Sequence, residues 1–171
     1  MLEALIALLS TFGGLVASGL VLTRTFNERR PHLVAWSVTS VGLTVSFAAM
    51  GAGGLMGYSA PLFRLAEIGA ALLAPTWLAV GVTVLIARLV QVRFAAWLIA
   101  ISFTVVATVI LTLDPTSGAF TKSFPKPSDH YSFLPPILIN GAHVVMVIAL
   151  VVCAVLTAIR ANKQDREAQE R

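Results

Sequence analysis

Five long apolar runs, separated by short polar breaks, set the plan of this chain. They cover residues 2–23, 32–56, 61–88, 94–113 and 136–160. About 20 apolar residues suffice to cross a bilayer's hydrocarbon core, and each run is that long. A segment at that depth must satisfy its backbone groups internally, which selects helix over isolated strand. The expected fold is therefore all-α: an integral membrane bundle of five transmembrane helices forming one domain over residues 1–171.

The breaks and the residues inside the runs refine this plan. The first run opens with Glu3 as its only early charge, whereas a secretory signal peptide carries positive charge there, so a retained helix is expected. Gly13, Gly14, Ser18 and Gly19 give it a small-residue face for close helix packing. Pro31, a favourable first helical residue, starts the second run. Ser37, Thr39, Ser40, Thr44 and Ser46 are expected to bond to their own helix or to a neighbour. Gly51, Gly53, Gly54 and Gly57 then lead into the turn GYSAP. Residues 115–135, PTSGAFTKSFPKPSDHYSFLP, form the one long loop. Loops of this length serve as lids or binding segments, or are disordered. The polar tail, residues 160–171, is expected to continue the last helix into water.

Composition agrees with the pattern. The 171 residues are 57% hydrophobic and 12% charged, with mean hydropathy +0.87. A soluble domain carries about 25% charged residues. The net charge of +4 and the pI near 9.8 invite a nucleic-acid reading, but the basic residues stand at segment ends, as membrane topology requires. With the N-terminus outside, Arg24, Arg29, Arg30, Arg88, Arg93, Arg160, Lys163, Arg166 and Arg171 fall on the cytoplasmic side. Arg64, Lys122 and Lys126 fall outside. The expected orientation is N-terminus outside and C-terminus cytoplasmic. The single cysteine, Cys153, lies in an apolar run and reads as a packing residue.

Charge at membrane depth is costly and marks a functional hypothesis. The third run carries Arg64 and Glu67 at i, i+3, on one helix face. Asp114 ends the fourth run, and Asn140 and His143 stand at i, i+3 near the start of the fifth. In the expected orientation all five share one extracytoplasmic level, with His130 in the loop above. Turned inward, they would line a small polar pocket beneath a Pro-rich lid. The plainer alternative has Arg64 snorkelling to the headgroups with Glu67 as its partner, and Asn140 and His143 cross-linking helices. Pro75 removes a backbone hydrogen bond and frees the Ala71 carbonyl, so a kink is expected there. No spacing motif supports a metal site, and His143 alone does not make a transmembrane haem pair. Hydrolase, phosphate-loop and metalloprotease motifs are absent, so neither an enzyme nor a resident cofactor is expected.

The third run also carries a family resemblance. Phe63-Arg64-Leu65-x-Glu67-x-Gly69-Ala70-x-Leu72-x-x-Pro75-x-Trp77-Leu78 resembles the signature helix of the seven-transmembrane sensor region that precedes some bacterial histidine kinases and diguanylate cyclases. Trp36 through Gly54 is similar to the helix before it in that region, so the resemblance covers residues 36–88. It implies a bacterial inner-membrane module that senses or binds, and it assigns no ligand residues; Trp77, a matching position, joins Arg64, Glu67, Asp114, Asn140 and His143 as a candidate ligand-binding residue. The chain departs from the pattern in having five spans and a tail too short for an output domain, so output would pass to a partner. The leading expectation is a non-enzymatic, sensor-like or accessory subunit. It would contact membrane lipids, a further membrane protein or a second copy, and a small-molecule ligand. A small transporter or lipid- or quinone-handling protein is one alternative. A structural subunit of a larger membrane complex is another.

Overall fold

The computed structural model describes residues 2–169, with side chains as far as 162. The side chains of Lys163 and Arg166, and Arg171 altogether, lie outside what is described. Regular structure among the described residues is helical throughout: α1 (Leu2–Glu28), α2 (Pro31–Met56), α3 (Ala60–Ala66), a π-helical segment (Glu67–Leu73), α4 (Ala74–Ile86), α5 (Val90–Leu113), α6 (Pro127–His130) and α7 (Leu134–Gln169). α3, the π segment and α4 run on as one third span, Ala60–Ile86. Among the described residues, five helices are long and apolar enough to cross a membrane.

Several helices outrun the apolar stretches. α1 continues to Glu28, α5 starts at Val90, and α7 carries the polar tail as helix to Gln169. Hydrocarbon thickness sets only a minimum length, and i→i−4 bonding propagates into the headgroup region wherever no breaker stops it. The breaks are sharp where geometry demands them. Arg29 turns the chain with φ 50 between α1 and α2, and Gly57 does so with φ 97 after α2. Ala87 leaves the helix in an extended conformation, and Arg93 Nε donates to its carbonyl at 2.8 Å.

The third span is the hub. In its most apolar window 61% of residues are buried, against 6% in α7 and 11% in α1. It packs on α2, α5 and α7, while α1 lies along α2. Small residues permit these approaches. A Cβ at Gly14 would meet the Thr44 side chain, and one at Gly54 would meet the Ala4 Cβ at 2.8 Å. The closest crossing is Gly42 against Gly69, where a Cβ on Gly69 would press on the Gly42 carbonyl and come within 2.9 Å of the Ser46 Cβ. Hydroxyls bridge the same interfaces: Ser18 Oγ to Thr44 Oγ1 at 3.0 Å, Thr25 Oγ1 to Ser37 Oγ at 2.8 Å, and Ser46 Oγ donating to the Ala66 carbonyl at 2.7 Å.

Pro75 disturbs the third span farther upstream than one freed carbonyl. The seven residues before Ala74 widen to i→i−5 bonding, and the Ala74 N–H reaches the Gly69 carbonyl. The proline ring would otherwise strike the carbonyl four residues back and has no N–H to offer it. Widening the turn moves those carbonyls aside, so the breaker is absorbed within a continuous helix. π-turns of this kind concentrate at functional sites. This one begins at Glu67.

Candidate functional site

The long loop folds into an ordered cap over one end of the hub. Asp114 closes α5 in an extended conformation, and its carboxylate accepts from the Ser132 N–H at 2.8 Å and from the Ser132 hydroxyl. Ser117 N–H donates to the His130 carbonyl at 2.9 Å, and His130 Nδ1–H returns a bond to the Ser117 carbonyl at 2.7 Å. Tyr58 N–H, at the turn before α3, ties down the Thr121 carbonyl at 3.0 Å. Charge-assisted and reciprocal bonds of this sort fix a loop that carries little regular structure of its own.

Aromatic packing seals the cap to the hub. Phe63, fully buried, has its ring centroid 5.0 Å from Tyr131, 5.5 Å from His130 and 5.7 Å from Phe120. Phe120 stacks on His130 at 4.4 Å with 10° between planes. Leu111 and Ile139 complete this cluster from α5 and α7.

At the junction of cap and hub three polar groups are incompletely bonded. Arg64 Nη2 donates to the Asp114 carbonyl at 2.6 Å, yet its Nε is buried without a partner. The Tyr131 hydroxyl is likewise buried and unbonded. Glu67, 4% exposed, makes no hydrogen bond or ion pair among the described residues. Burial pushes the Tyr131 phenol well above its ordinary pKa, and the Glu67 carboxylate pushes it further, with Arg64 acting the other way. Tyr131 is therefore a neutral O–H donor, lying in the field of Glu67, Arg64 and Asp114. Arg64 Nε–H and Tyr131 O–H donate, and the Glu67 carboxyl accepts. A buried polar atom left unbonded costs about 1–3 kcal/mol, so Arg64 Nε and the Tyr131 hydroxyl together need an account.

The residues singled out from sequence divide on this geometry. Arg64, Glu67 and Asp114 gather at the cap, but Arg64 and Glu67 do not pair with each other; Arg64 reaches across to the end of α5 instead. Asn140 and His143 share the level but do not join the cluster. α7 turns Pro135, Ile139 and Ala142 inward, which leaves Asn140 and His143 on its exposed face. His143 Nδ1 closes onto its own helix at the Ile139 carbonyl, 2.9 Å away. Trp77 lies lower in the hub, where its Nε1–H donates to Thr104 Oγ1 at 3.1 Å and its ring meets Trp97 edge-on. It works there as a packing residue. Pro75 acts through the π segment described above.

Tyr131 and Ser132 are the members that sequence reasoning missed, and Phe63 entered it only as a residue of the family resemblance. The aromatic content of the loop was the one signal for Tyr131, and Ser132 carried none. Among the described residues, no three His, Cys, Asp or Glu side chains converge as a metal site would require. No protein-family model matches the chain, and no curated protein or solved structure shows significant similarity to it.

Proposed function

We propose that this chain is a non-enzymatic, sensor-like or accessory membrane subunit whose capped Arg64–Glu67–Tyr131 cluster opens to receive a small polar ligand. One observation carries the reading: Arg64 Nε and the Tyr131 hydroxyl are buried without hydrogen-bond partners where hub and cap meet, beside the buried Glu67. Two offer hydrogens and one accepts them. They suit a ligand with an acceptor and a donor on neighbouring atoms, such as a zwitterionic amino acid or a short amide. Occupancy would act on both the cap and the π segment at once, because Tyr131 belongs to one and Glu67 opens the other.

The basic segment ends support an orientation with the cap extracytoplasmic and the C-terminus in the cytoplasm. The resemblance of residues 36–88 to bacterial seven-transmembrane sensor regions supports a place in the bacterial inner membrane. A cytoplasmic or membrane partner then takes the output. The exposed Asn140 and His143 on α7 offer that partner, or a second copy, interhelical hydrogen bonds.

The test is a thermal-unfolding screen of the purified chain against amino acids, short amides and small carboxylates. The expected result is a compound that stabilises the native chain and fails to stabilise both Glu67→Gln and Tyr131→Phe. If no compound in these classes shifts the native chain, or if hits act equally on both variants, the cluster is not the site. A transporter using the same cluster predicts instead that Glu67→Gln abolishes solute flux in proteoliposomes while assembly is kept.

A further inference from the structure

Away from the cap, α4, α5 and α7 enclose a cleft of about 400 Å³, within the range of small-molecule sites. It is a slot along the helix axes, lined within residues 76–83, 96–103 and 141–149, roughly 11 Å of rise on each helix. Val80, Ala100 and Ala142 form its buried floor, whereas Ile99 and Val145 at its edge are 67% and 58% exposed. The slot therefore opens sideways, between α5 and α7, onto the lipid. Its surface is almost wholly apolar, and the buried Thr76 hydroxyl offers nothing polar to an occupant. An extended hydrocarbon chain suits this direction and lining.

What stands at the foot of the slot selects among hydrocarbon chains. Thr83, Ala96 and Ala149 line it at that end, and α4 stops three residues beyond Thr83, at Ile86. Arg93 is one helical turn from Ala96, in the α5 row 93–96–100–103, and its Nε donates to the Ala87 carbonyl at 2.8 Å. On α7 the row 149–153–156 is half-buried throughout, and its next member is Arg160. Arg160 Nη2 donates to the Ile86 carbonyl at 3.4 Å. Two guanidiniums, one from each helix flanking the mouth, thus meet at consecutive carbonyls at the end of α4. Exposed Arg88 follows in the turn to α5.

Each arginine spends one N–H on a helix-terminal carbonyl, and a guanidinium carries five. Both side chains are exposed, and among the described residues neither forms an ion pair. At the other basic turn, by contrast, Glu28 holds Arg30 at 3.1 Å. Docking on backbone rather than on a carboxylate fixes the two forks and leaves their charge uncompensated. We infer that slot and arginines form one site for an anionic phospholipid. Its acyl chain lies along Val80, Ala100 and Ala142, and its phosphodiester accepts from Arg93 and Arg160. Phosphatidylcholine carries the same phosphate beside a trimethylammonium, which the arginines repel, so the site selects net negative charge. The inference rests on the slot and its foot, and is independent of the ligand proposed for the capped cluster.

The protein carries its own reporter. Trp77 and Trp97, with centroids 5.3 Å apart, pack in one cluster with Val80 and Ala100 of the slot floor. The experiment places the full-length chain, with Trp36 replaced by Phe, in phosphatidylcholine bilayers. Tryptophan quenching by brominated-chain phosphatidylglycerol is compared with quenching by brominated-chain phosphatidylcholine at equal mole fraction. The expected result is a preference for phosphatidylglycerol of about five- to twentyfold in relative binding constant. It should fall close to one in the double variant Arg93→Gln, Arg160→Gln and survive in Arg93→Lys, Arg160→Lys, which keeps both charges. Val145→Phe, which fills the mouth from a lipid-exposed position, is expected to lower the preference with both arginines in place. Equal quenching by the two lipids in the chain with both arginines overturns the site. A preference that persists in the glutamine variant overturns the role of the arginines. One that persists in Val145→Phe separates headgroup from slot and overturns the single site.

Discussion

Replacing Tyr131 by Phe is expected to stabilise this protein, against the usual direction of core substitutions. The ring is part of the seal, 5.0 Å from Phe63, and Phe keeps that packing. What the substitution removes is a hydroxyl buried without a partner. Such a group costs about 1–3 kcal/mol when nothing satisfies it, so a gain of about 1 kcal/mol is expected. For a chain of this size that is a rise of roughly 2–4 °C in unfolding temperature. Tyr58 supplies the matched control at the same end of the bundle. Its hydroxyl donates to the Met50 carbonyl at 3.1 Å, so Tyr58→Phe loses a bond and is expected to cost about 1 kcal/mol. The two single variants should therefore move in opposite directions in SDS-titration unfolding of the reconstituted chain. If Tyr131→Phe destabilises as much as Tyr58→Phe, the Tyr131 hydroxyl is already bonded in the free protein. The cluster would then hold a single buried unbonded donor, Arg64 Nε, in place of two.

Other consequences follow from the same contacts. Gly69→Ala drives a Cβ into the Gly42 carbonyl and the Ser46 backbone at the closest helix crossing, and overpacking of this kind costs about 1–3 kcal/mol. Gly13→Ala, with nothing within 4 Å of its added Cβ, is expected to be neutral or stabilising by up to about 1 kcal/mol in the same unfolding assay. The two tyrosines predict an alkaline limit. Burial raises both phenol pKa values, so the native state keeps protons that the unfolded chain releases from about pH 10 upward. The unfolded state then binds fewer protons, and stability, constant below that pH as far as these phenols are concerned, declines above it. Unfolding curves from pH 8 to 11.5 check this, and the decline should be shallower in Tyr131→Phe. In the proposed orientation Lys122→Cys, placed in the exposed cap of a Cys153→Ser background, reacts with membrane-impermeant maleimide in intact cells. Protection of that cysteine until the membrane is broken would reverse the assignment.

How far the sequence discloses this molecule depends on the length scale of each determinant. Five spans are legible because a bilayer demands some 20 apolar residues whatever the packing, and the runs meet that demand before any contact forms. The Arg64–Glu67 spacing is legible for a similar reason, since helical period places both on one face. The rotation of α7 is not. Asn140 and His143 look like inward groups on an apolar helix, yet Pro135, Ile139 and Ala142 hold the face that fits against the hub, a choice made by shape complementarity between helices distant in sequence. The π segment is intermediate: Pro75 announces a disturbance, but whether a helix kinks or widens depends on what packs around it. Here Gly42 and Ser46 of α2 lie against Gly69, inside the widened turn. Tyr131 was the hardest to foresee. Its importance arises because the cap brings a loop residue more than sixty positions from Glu67 down onto the hub, and it does so through Asp114, which sequence reading had taken for a ligand group. Holding the Ser132 backbone and hydroxyl, Asp114 fixes the residue next to Tyr131, so the aspartate bears on the cluster as a positioning residue. Asp114→Asn leaves a weaker, neutral acceptor for those bonds, and it should loosen the cap and expose Tyr131 without altering the five-span fold.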